Sequence, residues 1–250
     1  MELPTDTVLV CEQNQTRADL YALWLDDYDV RTALTERQLT DSVIGSVAVA
    51  VVNQSFGDRL GSALETIEAS APYCRIVATR ERGTSLAHTA FDYDLTRPVF
   101  EEDLAECVET LLHCANYRIA LEQYYRTTVA LSAYELGADD SAPADERIDR
   151  LEKRAARFQG FLNELRKDMT SDDVRSVVRD TSVGDIPGLD GTESLSGKYR
   201  PDSCVRCDAD WTELADGKQP FIKLGAYVWR CTDCGHVHLY MDPSHRHVGP

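Results

Sequence analysis

The run Val47-Ala48-Val49-Ala50-Val51-Val52-Asn53-Gln54 constrains this chain more than any other stretch. Small and β-branched apolar residues stand in a row and then give way at once to two amides. Nothing in the run alternates between a wet and a dry face. It therefore predicts a strand covered on both sides, as in the middle of a parallel sheet. In open α/β sheets the chemical site lies just past the carboxyl ends of such strands. The residue there is Asn53, whose amide is neither a base nor a phosphoryl acceptor.

The flanking sequence supplies the rest of a sheet. Residues 7–11 (TVLVC) read as the first strand, followed by the polar turn Glu12-Gln13-Asn14-Gln15 and a helix over about 16–26. In that helix Leu20, Leu23 and Trp24 share a face at i, i+3, i+4. A short strand at 30–33 and a weak helix near 36–43 lead to the central strand. Residues 58–70 form a helix through Leu60, Leu64 and Ile67, which Pro72 stops. Arg75-Ile76-Val77-Ala78 is a fourth strand that ends at Thr79. A weak helix near 85–91 and a short strand at 93–95 follow, and Thr96-Arg97-Pro98-Val99 turns into a helix carrying Leu104, Val108, Leu111 and Leu112. Five strands alternating with helices predict an α/β fold, a doubly wound parallel sheet.

In order and spacing, residues 1–115 resemble the receiver domain of response regulators, a flavodoxin-like fold. The resemblance implies an acidic pair after the first strand to hold Mg²⁺, a phosphoacceptor Asp after the third, a Thr after the fourth and a Lys after the fifth. Those positions fall here on Glu12 and Gln13, Asn53, Thr79 and Arg97. One carboxylate of three remains. Mg²⁺ binds hard anionic oxygens, and each lost carboxylate forfeits about 4 kcal/mol of attraction at an effective dielectric of ~20. Asn53 also cannot form an acyl phosphate. The expectation is a pseudo-receiver, a receiver fold without receiver phosphochemistry; the blander reading is an α/β sandwich whose polar strand ends cap turns.

The helical pattern continues from Asn116 through Leu121, Tyr125, Val129 and Leu136 to Gly137, a stop signal. After an acidic loop at 137–146, Ile148, Leu151, Ala155, Phe158, Leu162, Leu165 and Met169 recur at alternating spacings of three and four. Such an a/d seam predicts an antiparallel helical hairpin over 116–182, and a homodimer through the same seam is the rival packing. This segment, with its lead-in Leu111-Leu112-His113-Cys114-Ala115-Asn116-Tyr117, resembles the HalX domain that follows receivers in haloarchaeal regulators. Composition agrees with such a source: the net charge is −17, and only five of the 26 basic residues are Lys. High salt screens that self-repulsion. The same charge disfavours a general nucleic-acid or membrane-surface binder.

Residues 183–198, rich in Gly, Asp and Ser, read as a flexible linker. From Tyr199 onward six basic residues face seven acidic ones, so this segment carries −1 and the rest of the chain −16. It also holds Cys204-Val205-Arg206-Cys207 and Cys231-Thr232-Asp233-Cys234-Gly235, two C-x-x-C knuckles separated by 23 residues. Four thiols at this spacing predict a structural zinc site in a small β zinc ribbon over 199–250; a redox dithiol is the rival. Residues 223–230 read as a strand entering the second knuckle and 236–240 as one leaving it. Trp211, Tyr227, Trp229 and Tyr240 are the candidate core of the ribbon, or a base-stacking surface. His236 and His238 share a strand face, as His245 and His247 do further on; a second metal site and exposed polar or partner contacts both remain open. Cys11, Cys74, Cys107 and Cys114, scattered through apolar patterns, read as small buried hydrophobes of a reducing compartment.

No nucleophile–base pair, phosphate-cradling Gly loop or open metal site is legible, so the expectation is a non-enzymatic regulator of signal transduction or transcription. Its partners are expected to be proteins, with sequence-specific DNA binding through the ribbon as the alternative. The chain has no run of 18 apolar residues and no basic, apolar leader pattern at Met1-Glu2-Leu3-Pro4. A cytoplasmic location is the corresponding expectation.

Overall fold

The computed structural model describes residues 5–43, 47–57, 60–84, 91–137, 142–181, 201–212, 220–225 and 228–239. The chain divides into two units, Met1–Ile119 and Ala120–Pro250.

The first unit is a five-stranded parallel sheet of β1 (Thr7–Cys11), β2 (Asp29–Ala33), β3 (Val47–Asn53), β4 (Arg75–Arg80) and β5 (Tyr93–Thr96), in the order β2-β1-β3-β4-β5. Between them run α1 (Gln15–Trp24), α2 (Glu36–Ser42) and α3 (Leu60–Ser70), and α4 (Glu101–Gly137) follows. Every residue of β1 and β3 is buried. Their side chains divide between two cores. Val8, Val10, Ala48, Val49 and Val51 pack with Tyr21, Leu25, Leu104, Val108 and Leu111. Leu9, Cys11, Ala50 and Val52 pack with Leu39, Phe56, Leu64 and Ile67 on the other face. Ala48 and Val49 fall on one side because the register slips there: Thr7 pairs with Val47 and Val8 with Val49, a bulge that inserts one residue. Asn116, buried on α4, fastens the start of the chain by accepting from Thr5 N (2.8 Å) and donating to Thr5 O (2.8 Å).

One sequence expectation fails in α1. Leu20 and Leu23 are 39% and 65% exposed, and Ala18, Tyr21 and Leu25 turn inward instead. The i, i+3, i+4 count found the apolar residues, but the strip that meets the sheet is one residue out of phase with them. The helix read near 85–91 lies outside the described residues, except that Phe91 is not helical.

In the second unit, the part of α4 from Ala120 onward is joined by α5 (Ala142–Leu165) and α6 (Ser171–Asp180). α5 begins inside the stretch read as an acidic loop, with Pro143 in its first turn, where the missing N–H is harmless. Along α5 the seam residues Ile148, Leu151, Ala155, Phe158 and Leu165 are half-buried and Leu162 is buried, while the residues between are largely exposed. Met169 falls in the turn after the helix, not on it. α6 was not anticipated, yet it has a start signal: Thr170 accepts from Asp173 N (3.2 Å) and Asp173 Oδ2 accepts from Thr170 N (2.9 Å), a capping box. Val174, Val177 and Val178 form its buried face.

The unit also holds a three-stranded antiparallel sheet, β6 (Phe221–Gly225), β7 (Val228–Cys231) and β8 (Val237–Leu239), in the order β6-β7-β8. The single strand expected over 223–230 is two strands of a hairpin, broken between Gly225 and Val228. An unbroken β-prone run hid the reversal, which Gly225 alone marks in the sequence. The linker 183–198 lies outside the described residues, as do Tyr227, Tyr240, His245 and His247. No helix is long and apolar enough to cross a membrane among the described residues.

Leu162 is 6% exposed, so a charge placed there is desolvated. Leu162→Asp is expected to destabilise the chain by roughly 2–5 kcal/mol in chemical denaturation. If the seam is instead an interface between copies, the variant stays folded and sediments as a smaller species.

Candidate functional site

The sheet order changes direction between β1 and β3, and the crevice at such a switch point opens at their carboxyl ends. Glu12 and Asn53 stand there, 1% and 4% exposed. Asn53 Nδ2 donates to both Glu12 oxygens, at 3.1 and 3.0 Å, and Asn53 Oδ1 accepts from Ser55 N (3.1 Å). Arg97 Nη2 reaches Glu12 Oε2 (2.7 Å) and Thr79 Oγ1 (3.3 Å), while its Nη1 meets Glu81 Oε1 (2.7 Å). Arg17 Nη2 and Asn14 N complete the cluster on Glu12 Oε1, at 3.0 and 2.9 Å. Four of the five residues picked from sequence, Glu12, Asn53, Thr79 and Arg97, thus meet in one network. Gln13 does not join them; it is exposed.

Burial pushes the Glu12 carboxyl up. The Arg17 hydrogen bond, the Asn14 N–H and the charges of Arg17 and Arg97 outweigh that and hold it below the usual carboxylate range. Arg17 and Tyr21, whose phenol lies beside Arg97, were not anticipated. Arg17 sits one helical turn after Glu12, a spacing that pairs charges only once the turn closes into α1. Chemically the pocket is a carboxylate already saturated by two guanidiniums and an amide. It presents no anionic oxygen to a hard cation and no nucleophile to a phosphoryl group.

The second cluster comprises Cys204, Cys207, Cys231 and Cys234, whose sulfurs all lie within 4.8 Å of one another. Cys204 and Cys234 Sγ are 3.5 Å apart, Cys207 and Cys231 Sγ 3.7 Å. A tetrahedron of sulfurs at ~2.3 Å from a central metal has edges of about 3.8 Å, whereas a disulfide needs about 2.05 Å. The four cysteines therefore fit one metal ion. The two knuckles repeat each other. Asp208 N donates to Cys204 O (2.8 Å) and Gly235 N to Cys231 O (3.1 Å), and these two donors have φ of 55° and 70°. Asp tolerates that left-handed conformation. At Gly235 a Cβ would also stand 2.8 Å from Val178 Cγ2, so the glycine lets the knuckle approach α6. Tyr125 Oη donates to Gly235 O (2.9 Å) from α4. Arg230, 2% exposed, donates to Thr181 O (3.2 Å) and lies 5.3 Å over the Tyr125 ring.

The sulfurs share charge unequally. The Cys234 sulfur bonded to it pulls the Cys231 thiol down to about 5, whereas Cys234 is pushed up by Cys231 and by burial. Burial also pushes Cys207 up, to about 11. Four sulfurs this close can all ionise only around a cation. Trp211 and Trp229 are buried beside them, which fits a core rather than a stacking surface. His236 and His238 have ring centroids 4.8 Å apart, and burial first of all lowers both, His236 to about 4. Burial raises Cys11, Cys74 and Cys107 and keeps these thiols protonated.

Comparisons with known proteins add the following. Residues 200–249 match the family described as Halobacterial output domain 2. A CheY-like receiver domain protein from Methanospirillum hungatei JF-1 is 18% identical, with a TM-score of 0.39 over 44% of this chain and 94% of its own. A response regulator receiver protein from Sinorhizobium medicae WSM419 is 15% identical, with a TM-score of 0.40 over 46% and 99%. A structure described as an adenylate cyclase from Rhodopirellula baltica is 10% identical, with a TM-score of 0.41 over 44% and 88%. No curated protein sequence matches.

Glu12→Gln should destabilise the chain by about 3–5 kcal/mol near neutral pH, because Arg97 and Arg17 lose the buried anion they share and Arg97 keeps only the exposed Glu81. The carboxyl is depressed in the fold, so its contribution is complete above the unfolded value of about 4.3 and is lost as pH falls through the lower native value. Denaturation midpoints measured against pH should therefore show an acid limb in the parent that is shallower in the variant. The chain thus joins a five-stranded, doubly wound parallel α/β fold to a four-cysteine segment that matches the family described as Halobacterial output domain 2.

Proposed function

We propose that this chain is a non-enzymatic regulatory protein of signal transduction or transcription, in which a pseudo-receiver is coupled to a zinc-ribbon interaction module. The observation that carries the first half is the Asn53 amide, which donates to both oxygens of Glu12 where a receiver would offer an acceptor carboxylate. Arg97 supports the same reading. It spans Glu12 and Thr79, the contacts a phosphoryl group would otherwise draw from Thr and Lys. The module then works as a surface held in one state, and its neighbour carries the output. HalX character for the hairpin and boundaries near 115, 182 and 198 belong to this reading too.

The second half rests on the four sulfurs. We assign them to structural Zn²⁺, since four thiolates close a tetrahedral sphere and leave no place for water or substrate. Zinc supplies folding energy to a segment with little apolar area of its own. Protein partners are preferred over DNA for a local reason as well as for net charge. Of the basic residues of the ribbon, Arg230 is buried against Thr181 and Tyr125 and Arg206 is bonded to Asn163 Oδ1 (3.0 Å), so both are engaged within the unit. A DNA-binding ribbon is the rival and would reveal itself by saturable binding with a steep salt slope.

Incubation with acetyl phosphate and Mg²⁺ is expected to leave the chain without acid-labile phosphate by intact-mass measurement. A stoichiometric phosphoryl adduct near Glu12 or Thr79 would refute the pseudo-receiver. Metal analysis is expected to give one zinc per chain. Cys231→Ser should lose it together with the near-UV signal of Trp211 and Trp229, while the first unit keeps its own unfolding transition. A metal-free chain with an intact tryptophan spectrum under reducing conditions would refute the zinc assignment.

A further inference from the structure

His238 is 7% exposed, and its Nε2 lies 3.4 Å from Cys204 Sγ. Its imidazole is held on two sides: the Trp211 ring is 4.6 Å away at 67°, and the His236 ring 4.8 Å away at 82°. The antiparallel register sets His238 opposite Trp229, so the position is fixed by the sheet as well as by the rings. The donor atoms that all lie within 4.8 Å of one another are the four sulfurs, without this imidazole.

The other sulfurs receive peptide N–H groups. Cys207 receives the N–H of Ala209, Cys231 those of Asp233 and Cys234, and Cys234 that of His236. At Cys204 a side chain, His238, also stands at the sulfur. We propose that His238 is a positioning residue of the metal site, whose Nε2–H donates to the metal-bound Cys204 thiolate and adds a side-chain donor to the N–H groups around the sulfurs. This rests on the metal reading above. A thiolate on a metal carries no proton, so the hydrogen of the pair must sit on Nε2, which fixes the tautomer. Four thiolates on a dication leave a net charge of −2 in a largely buried place. Each N–H···S bond draws off part of it and strengthens the hold on the metal.

The test uses the full chain loaded with zinc. His238→Phe keeps an aromatic ring beside Trp211 and removes the N–H; His238→Gln restores a side-chain N–H at similar reach. In competition with a chromophoric chelator, His238→Phe is expected to hold zinc about 10–100-fold more weakly. His238→Gln should recover most of that loss, and both variants should keep one metal per chain. The cobalt-loaded parent and His238→Phe should have the same ligand-field absorption, because the imidazole is not a ligand. A changed ligand field would make His238 a ligand and overturn the proposal, as would equal zinc affinity in parent and His238→Phe. Should His238→Phe fail to fold, NMR of the cadmium-loaded parent decides. A scalar coupling between cadmium and the Nε2 proton supports the bond, and its absence refutes it. A parent chain that takes up no metal would sink the four-cysteine reading itself, whereas failure at His238 alone leaves that reading standing.

Discussion

The first unit is organised around one buried anion. Glu12 is almost wholly removed from water at the end of β1, and a carboxylate there is tolerated only if its lone pairs are satisfied and its charge is met. Arg97, Arg17, Asn14 and Asn53 do both. The consequence is structural before it is functional. The same bonds tie the turn from β1 into α1 to the end of β3 and to the segment after β5, three distant parts of the chain. A receiver pocket gathers like charges and needs a cation to hold them. The pocket here holds one carboxylate, Glu12, beside the Asn53 amide, with Gln13 exposed, so guanidiniums suffice.

A comparable demand organises the second unit, where the anions are sulfurs. The knuckles close around the four thiols, and each ends on a residue in left-handed conformation. The second knuckle does more than bind. Gly235 lies against Val178 of α6 and accepts from Tyr125 of α4, and Arg230 beside it reaches the end of α6 at Thr181. The four-cysteine segment and the helices therefore share packed contacts in which the second knuckle forms one wall. Val178, on the buried valine face of α6, is part of the surface the knuckle covers.

Much of this was legible in the residues, and the omissions have physical causes. Val47–Asn53 announced a buried central strand because a parallel sheet covered on both faces leaves no room for alternation. The four cysteines were legible because tetrahedral coordination by short loops imposes a spacing. By contrast, α1 turned Ala18 and Tyr21 inward where Leu20 and Leu23 looked the better core. A small residue lets the helix come close to the sheet, and hydrophobicity alone does not report that. The hairpin of β6 and β7 was hidden in one β-prone run, and α6 in a short, charged stretch. Arg17 was out of reach for a different reason: its partner is set by three-dimensional closure of a turn, which composition cannot weigh.

The pocket of the first unit also bears on how such a chain can regulate anything. A switch requires two states whose balance a ligand or modification can shift, and the shift cannot exceed the differential interaction with those states. On the pseudo-receiver reading proposed above, the end of β3 offers a phosphoryl group no acceptor carboxylate, and the one carboxylate beside it, Glu12, is already met by Arg17 and Arg97. On that reading, whatever alters the state of the protein acts elsewhere, by binding to a surface or through the four-sulfur centre of the second unit. The centre is the better placed of the two. Its four sulfurs could hold a metal, and its second knuckle touches two helices, so with the metal proposed above its gain or loss would change packed apolar contacts rather than a solvated loop.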